Sequence, residues 1–282
     1  PLTLSDEYPL GTTTITWTVT DNNGNTASTT QTVTVNDTEK PTAIAQNKTV
    51  YLDNAGNATI STTDIDNVSV DNCDTSVSLS LDITSFDCSK LGANTVTLTV
   101  TDDAGNVASA TATVTVIDNI KPVITASGDQ TVSNDTGVCG ANVTVVAATA
   151  SDNCLPMSNT PTGVRSDSLL LSDVYPVGTT TITWTVDDNS GNTASTTQTV
   201  TVNDNQAPVF ASEFSNLTVN NDLGVCTYDT AQLPIPNVSD NCTPFDGEVT
   251  VSPASLNVSA GPDHTPSTVT WTATDNYGNT VS

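Results

Sequence analysis

The stretch TTTITWTVTDNNGNTASTTQTVTVND runs over residues 12–37 and returns, with two changes, as TTTITWTVDDNSGNTASTTQTVTVND over residues 179–204. Ile15, Trp17 and Val19 alternate with threonines, which is the period-two pattern of a strand with one buried face. A second strand-like run follows the segment Asp-x-x-Gly-Asn, and two strands joined by a short glycine-containing loop form a β-hairpin. The chain therefore contains the same predicted hairpin twice.

The hairpin is part of a longer repeat. The motif Asp-x-x-Gly-Asn begins at Asp21, Asp102, Asp188 and Asp275, with spacings of 81, 86 and 87 residues. Short Thr/Val strands with turn residues between them predict an all-β fold with one β-sandwich for each repeat. We expect the C-terminal part of a first sandwich at residues 1–38, complete sandwiches at 39–119 and 120–205, and a fourth lacking its last strand at 206–282. Because the first residues fall inside a repeat, we expect this sequence to be a window from a longer chain.

One repeat carries motifs that resemble a known family. The segment YPVGTTTITWTVDDNSGNTASTTQTVTVNDNQAP is preceded by GVCGANVTVVAATASDNC, and together they closely resemble the hyalin repeat (HYR) module. The resemblance extends over essentially the whole chain, although the second repeat has FDCSKLGANT where the first and third have YPLGTTT and YPVGTTT. It implies tandem immunoglobulin-like β-sandwiches in an elongated rod, as found in extracellular and adhesive proteins and in bacterial cell-surface arrays.

The charge balance limits the classes of partner. The 282 residues carry 31 acidic and 5 basic side chains, a formal net charge of -26. This charge repels nucleic acid and anionic membrane and attracts divalent cations. We therefore expect no nucleic-acid binding. Because the apolar runs are too short to span a bilayer, we also expect no membrane insertion in this segment. The single histidine, His264, has no nucleophile motif near it, and we expect that the chain is not an enzyme.

The acidic loops predict calcium sites. In such a sandwich, the linker entering a repeat, its Asp-Asn-Cys loop and its Asp-x-x-Gly-Asn loop lie at the same end. Carboxylates gathered there would repel one another, and Ca²⁺ accepts the irregular set of oxygen ligands that loops supply. The predicted ligands are Asp37, Asp71, Asn72 and Asp102; Asp118, Asp152, Asn153 and Asp188; and Asp204, Asp240, Asn241 and Asp275. The alternative is that Asp-x-x-Gly-Asn is only a hairpin turn, since its residues suit a turn without metal.

Six cysteines indicate disulfides in an oxidising compartment. Pairing of near neighbours would give Cys73–Cys88, Cys139–Cys154 and Cys226–Cys242. In the predicted sandwich these partners lie at opposite ends of a strand, farther apart than the 4.4–6.8 Å typical of bonded Cα atoms. We therefore favour the inter-repeat pairs Cys88–Cys154 and Cys139–Cys242, with Cys73 and Cys226 pairing outside the sequence, and keep the local pairs as the alternative.

The sequence thus predicts a structural extracellular or cell-surface stalk or filament. Calcium at the joints and disulfides would make it rigid, because each small core is marginal alone. Expected partners are neighbouring repeats of the same chain and like chains in a fibre or bundle. The alternative is an adhesin or carbohydrate-binding repeat module, which an exposed aromatic cluster would favour.

Overall fold

A computed structural model describes residues 7–154, 159–211, 215–242, 244–257 and 267–282 of the chain. Strands make up 46% and helices 4% of it, and the prediction of an all-β fold is confirmed. The chain divides into two compact units. The first comprises Pro1–Ile120 and Asp152–Met157, and the second comprises Lys121–Ser151 and Ser158–Ser282.

The first unit contains two long hairpins and several shorter strands. Its strands are β1 (Gly11–Thr20), β2 (Thr26–Val35), β3 (Lys48–Tyr51), β4 (Asn57–Thr59), β5 (Ser78–Leu81), β6 (Ser85–Asp87), β7 (Gly92–Thr101) and β8 (Val107–Ile117). Its sheets are β1-β2, β4-β6 and the four-stranded β3-β8-β7-β5, in which β3 runs parallel to β8. The apolar face of the four-stranded sheet packs into a core that includes Val96, Leu98, Val114 and Phe86.

A one-turn helix in this unit was missed from the sequence, where no helix is predicted. Helix α1 (Thr62–Ile65) begins after Ser61, and Ser61 and Asp64 form a reciprocal capping box. The spacing Ser-x-x-Asp is the sequence pattern that could have indicated the start of this helix. Asp64 also pairs with Lys48 at 2.9 Å on the surface. None of the helices in the described ranges is long and apolar enough to cross a membrane.

The second unit contains a four-stranded sheet like that of the first, together with further short sheets. Its strands are β9 (Val123–Thr125), β10 (Gln130–Ser133), β11 (Gly140–Ala141), β12 (Thr149–Ser151), β13 (Thr162–Arg165), β14 (Tyr175–Pro176), β15 (Gly178–Asp187), β16 (Thr193–Asn203), β17 (Val209–Phe210), β18 (Thr227–Asp229), β19 (Val238–Ser239), β20 (Glu248–Ser252), β21 (Ser255–Asn257), β22 (Thr270–Thr274) and β23 (Thr280–Val281). The sheet β10-β16-β15-β13 has the same order and the same parallel edge pair as its counterpart in the first unit. Among the residues that the structure describes, two short 3-10 turns complete the helical content, Cys88–Lys90 in the first unit and Thr230–Gln232 in the second.

Trp184 lies at the centre of this second core. It is 2% exposed, and its Nε1 donates a hydrogen bond to Oε1 of Gln198 at 3.0 Å. The Gln198 amide donates in turn to the carbonyl of Gly128 at 2.6 Å. Buried polar atoms need partners of this kind, so the tryptophan and the glutamine can be buried together.

Arg165 organises the loop that follows β13. Its side chain is fully buried, and its guanidinium lies 3.8 Å from the ring centroid of Tyr175. It pairs with Asp167 and donates to three backbone carbonyls, those of Leu170 (2.9 Å), Asp173 (2.8 Å) and Val174 (3.2 Å). The arginine therefore holds together a loop in which Leu169 and Leu170 stay exposed and add little to the core.

Candidate metal centres

The Asp-x-x-Gly-Asn segments are hairpin turns with a shared geometry. In the first copy, Asp21 Oδ1 accepts from the backbone N–H groups of Asn23 (2.8 Å) and Asn25 (2.9 Å), and Asp21 Oδ2 accepts from the Asn25 amide at 2.9 Å. Gly24 has φ +86°, a conformation that glycine adopts without steric cost. These hydrogen bonds lower the pKa of Asp21, with the side chain of Asn25 as the largest cause. The turn chemistry explains this copy completely.

The later copies keep the turn but are more buried. Asp102, Asp188 and Asp275 are 5%, 5% and 8% exposed. In each, both carboxylate oxygens accept hydrogen bonds from the asparagine four residues later. For Asp102, burial opposes ionisation, but the hydrogen bonds from Asn106 outweigh it and the pKa is lowered. The hairpin turn therefore fixes the position of these aspartates, independently of any ligand.

The linker aspartates use only one oxygen in their turn. Oδ1 of Asp37, Asp118 and Asp204 accepts the backbone N–H two residues later, at 3.0, 3.1 and 3.1 Å. Oδ2 of Asp37 and Oδ2 of Asp204 are buried and have no hydrogen-bond partner in the protein. The Asp204 residue as a whole is only 7% exposed. A buried carboxylate oxygen without a partner is costly, so these oxygens are suited to a ligand.

The Asp-Asn-Cys loops repeat the same pattern. One oxygen of Asp71, Asp152 and Asp240 accepts the N–H of the following cysteine, at 2.8, 3.1 and 2.9 Å. The other oxygen, Oδ2 of Asp71, Oδ1 of Asp152 and Oδ2 of Asp240, is buried without a partner. Each loop therefore holds its aspartate firmly while leaving one oxygen unsatisfied.

Linker and loop aspartates come together in three clusters. The ligand atoms of each of the following sets lie within 4.8 Å of one another: Asp37, Asp71 and Cys73 in the first cluster; Asp118, Asp152 and Cys154 in the second cluster; Asp204, Asp240 and Cys242 in the third cluster. Asp37 also forms such a set with Asp74 and Asp102, which we include in the first cluster. Carboxylates this close repel one another unless a proton or a cation intervenes.

The third cluster shows this repulsion. The pKa of Asp240 is raised, first by burial and then by the negative charges of Asp204 and Asp275. Both causes penalise the ionised carboxylate. A bound cation would remove that penalty.

The aspartates of the hairpin turns take different positions relative to the clusters. Asp102 joins the first cluster, and Asp275 lies near enough to Asp240 to affect its pKa. Asp118 and Asp152 belong to the first unit and Asp188 to the second, so the trio predicted around the second cluster stays a prediction.

The three predicted asparagine ligands also differ. The Asn153 amide donates to Asp118 Oδ1 at 3.3 Å, and its own Oδ1 is buried without a partner, as a ligand oxygen would be. The Asn241 amide donates to Asp204 Oδ1 at 3.5 Å. The Asn72 amide instead donates to Glu39 Oε2 at 2.9 Å.

One acidic residue of the first cluster was missed from the sequence. Asp74 directly follows the first Asp-Asn-Cys motif, where the other two copies have Leu155 and Thr243. Its Oδ2 accepts the N–H of Asp103 at 2.7 Å, which draws it toward the Asp102 turn. The sequence signal for Asp74 was an acidic residue next to the Asp-Asn-Cys motif, but the other two copies of the motif have no acidic residue there.

The structure contains the disulfides Cys88–Cys154 and Cys139–Cys242, with Cα–Cα distances of 5.5 and 4.6 Å. These are the inter-repeat pairs favoured from the sequence. Cys73 and Cys226 are free and exposed. The pKa of the Cys73 thiol is raised, first by desolvation and then by the charge of Asp37. His264, the one histidine, lies outside the described residues.

Peptide mapping under non-reducing conditions tests the pairing. We expect digestion of the native chain to release one cross-linked peptide containing Cys88 and Cys154 and another containing Cys139 and Cys242, because only these sulfurs are within bonding distance. The same digest after reduction and alkylation is the control and should contain neither. A Cys139–Cys154 peptide from the unreduced sample would contradict the pairing.

Comparison with known proteins identifies a related family and a related protein. The HYR domain model matches residues 3–35 and 117–202, a narrower range than the sequence motifs suggest. Hyalin of Strongylocentrotus purpuratus is 28% identical over 233 residues, covering 78% of this chain and 19% of hyalin. The chain thus spans about a fifth of the length of that relative.

Two solved structures show a low likeness to this chain. The protocadherin gammaB4 extracellular domain is 17% identical with a TM-score of 0.33, covering 85% of this chain and 44% of that one. Drosophila N-cadherin EC1-4 is 14% identical with a TM-score of 0.33, covering 98% of this chain and 83% of that one.

Proposed function

We propose that the chain is an extracellular or cell-surface repeat protein of the adhesion type, a structural stalk or filament whose joints are stiffened by calcium and by disulfides. The matches to the HYR domain model and to hyalin support this proposal. The proposed units are the repeats at 1–38, 39–119, 120–205 and 206–282, the last without its final strand. Each unit would contribute length, and the joint would contribute stiffness. Like chains in a fibre or bundle are the proposed partners.

One observation carries the calcium proposal. In all three clusters, carboxylate oxygens are buried and have no hydrogen-bond partner, while the second oxygen of the same side chain is held by a backbone N–H. A cation site needs an oriented, desolvated carboxylate oxygen, whereas a surface turn does not need one. The residues present therefore fit a hard cation.

The donor set favours Ca²⁺ over other common metals. The candidate ligands are carboxylate and amide oxygens, which suit hard cations, whereas Zn²⁺ prefers thiolate and imidazole. Cys154 and Cys242 are in disulfides and offer no thiolate. Mg²⁺ requires near-octahedral geometry, while Ca²⁺ tolerates the irregular geometry of separate loops.

A cation would stiffen a joint because its ligands come from different segments. Asp37 and Asp71, Asp118 and Asp152, and Asp204 and Asp240 lie 34, 34 and 36 residues apart. The first member of each pair is in the linker and the second is in a loop of the repeat that follows. Neutralising both at once ties the linker to that repeat and restricts rotation about the linker.

Substitution of Asp204 by asparagine tests the site. The change keeps an oxygen for the Gln206 turn but removes the charge, so we expect the affinity of one calcium site to fall by about tenfold or more. In EDTA the same D204N variant should be at least as stable as the wild type, because repulsion with Asp240 is relieved. Calorimetric calcium titration and thermal melting measure the two effects.

The matched control is Glu248→Gln, which removes a charge from an exposed position in β20 outside the three clusters. It should change neither the affinity nor the stoichiometry of calcium binding. Equal calcium binding by D204N and the wild type would exclude Asp204 as a ligand.

A further inference from the structure

The loop of the second cluster is fastened both to the 3-10 turn after β6 and to the turn that joins β3 and β4. Cys154 is bonded to Cys88, and the Asn153 amide donates to the carbonyl of Asp53 at 3.3 Å. The Asn153 carbonyl lies 3.7 Å from Cys88 Sγ. A Cβ at Gly56 would come within 2.8 Å of that carbonyl and 2.9 Å of Cys88 Sγ, so only glycine lets the loop approach this closely.

The third cluster is fastened in the same way. Cys242 is bonded to Cys139, and the Asn241 amide donates to the carbonyl of Val138, next to that cysteine, at 3.2 Å. In both clusters the asparagine of Asp-Asn-Cys therefore adds a hydrogen bond beside the covalent link. The loop is held at two adjacent residues.

The fastened loop is also the loop that supplies the candidate ligand. Asp152 and Asp240 each accept the N–H of the bonded cysteine two residues later, and the cysteine sulfur lies within 4.8 Å of the clustered carboxylate oxygens. The position of the ligand oxygen is thus set by the position of the disulfide. Without the covalent link, the loop would have to be ordered by the cation itself, at a cost in affinity.

The first cluster lacks this fastening and serves as an internal control. Cys73 is free and exposed, and the Asn72 amide donates a hydrogen bond to Glu39 of the linker. This cluster has the additional carboxylate of Asp74.

We propose that the disulfides Cys88–Cys154 and Cys139–Cys242 are positioning elements of the second and third clusters, so that cation affinity depends on the intact disulfide there and not at the first cluster. This inference rests on the proposed calcium function. Linkage is reciprocal, so a bound cation also protects the two disulfides against reduction.

Two double variants test the inference. Cys88→Ser with Cys154→Ser breaks the link at the second cluster, and Cys139→Ser with Cys242→Ser breaks it at the third. By calorimetric calcium titration of the full chain, we expect each variant to weaken one site by about tenfold, within the range usual for coupled sites, and to leave the others unchanged. The control Cys226→Ser removes a free and exposed thiol outside the three clusters and should leave every site unchanged.

The possible results are distinguishable. If the oxidised wild-type chain binds no calcium, the proposed function itself fails. If the wild type binds calcium and the double variants bind it with the same affinities, only the disulfide inference fails. Equal weakening of every site by one double variant would also overturn it, because the effect would then be general rather than local.

Reduction gives a second, residue-specific readout that does not depend on how the variants fold. Each disulfide takes two electrons and two protons to give two thiols, while dithiothreitol is oxidised to its cyclic disulfide. After equilibration at a series of ratios of reduced to oxidised dithiothreitol, the thiols can be alkylated and quantified by mass spectrometry, in calcium and in EDTA. We expect a smaller equilibrium fraction of thiol at Cys88, Cys154, Cys139 and Cys242 in calcium; equal fractions in the two buffers would overturn the reciprocal protection.

Discussion

Removing calcium with EDTA is expected to lower both the melting temperature and the average length of the chain. A ligand at 100 times its Kd stabilises the folded state by about 2.7 kcal/mol per site. For a folding unit the size of one repeat this corresponds to a fall of about 10–20 °C in Tm. Length should fall because the linker aspartates, Asp37, Asp118 and Asp204, would again repel the loop aspartates and leave the joints free to bend.

Thermal melting and small-angle X-ray scattering on the same sample measure the two effects. The control is calcium-loaded chain at the same ionic strength without EDTA, because salt also screens a chain with a net charge of -26. A chain with the same Tm and the same maximum dimension before and after chelation would rule out calcium as the stiffening element.

The second large effect is expected from Arg165→Met. The side chain is fully buried, and its loss leaves Asp167 without its cation and the carbonyls of Leu170, Asp173 and Val174 without the guanidinium donors. The Leu170 carbonyl would keep only the N–H of Asp173. Breaking a buried ion pair by removing one partner costs about 3–5 kcal/mol. Denaturant unfolding should show this loss. Arg165→Lys should recover only part of it, because an ammonium group cannot reproduce the planar fork of donors.

Lys48→Met is the matched control for the arginine variant. It removes the cation of the surface ion pair Lys48–Asp64, whose side chains are 42% and 31% exposed. Exposed pairs contribute at most about 1 kcal/mol. Similar losses in the two variants would show that burial of Arg165 does not matter to stability.

The disulfide pairs were predictable from the sequence because distance along a strand is a strict constraint. A strand separates the cysteines of each local pair, so proximity in sequence is misleading. Most of the aspartates drawn together in the clusters were predictable for a similar reason, since β-strand direction determines which loops share an end. Asp74 and Arg165 were missed because their roles depend on one loop conformation each, which no periodic pattern records.

The two copies of the opening stretch separate what the sequence determines from what the tertiary structure decides. Both form a hairpin in the same register, with Trp17 and Trp184 each donating to the glutamine of the facing strand at 3.0 Å. Turn chemistry and alternation are local, so the sequence alone determines this much. Yet Trp17 is 46% exposed and Trp184 is 2% exposed.

We expect residues 1–38 to be only the C-terminal part of a sandwich, so the difference lies in which neighbouring strands each hairpin has within this sequence. Strands β10 and β13 flank β16 and β15, while β1 and β2 form a two-stranded sheet among the described residues. Burial depends on segments distant in the chain, which the hairpin residues do not encode. The same holds for the motif within the hairpin: Asp-x-x-Gly-Asn makes a turn at Asp21 by itself, and Asp102 joins a carboxylate cluster only because Asp37 and Asp74 are brought to it.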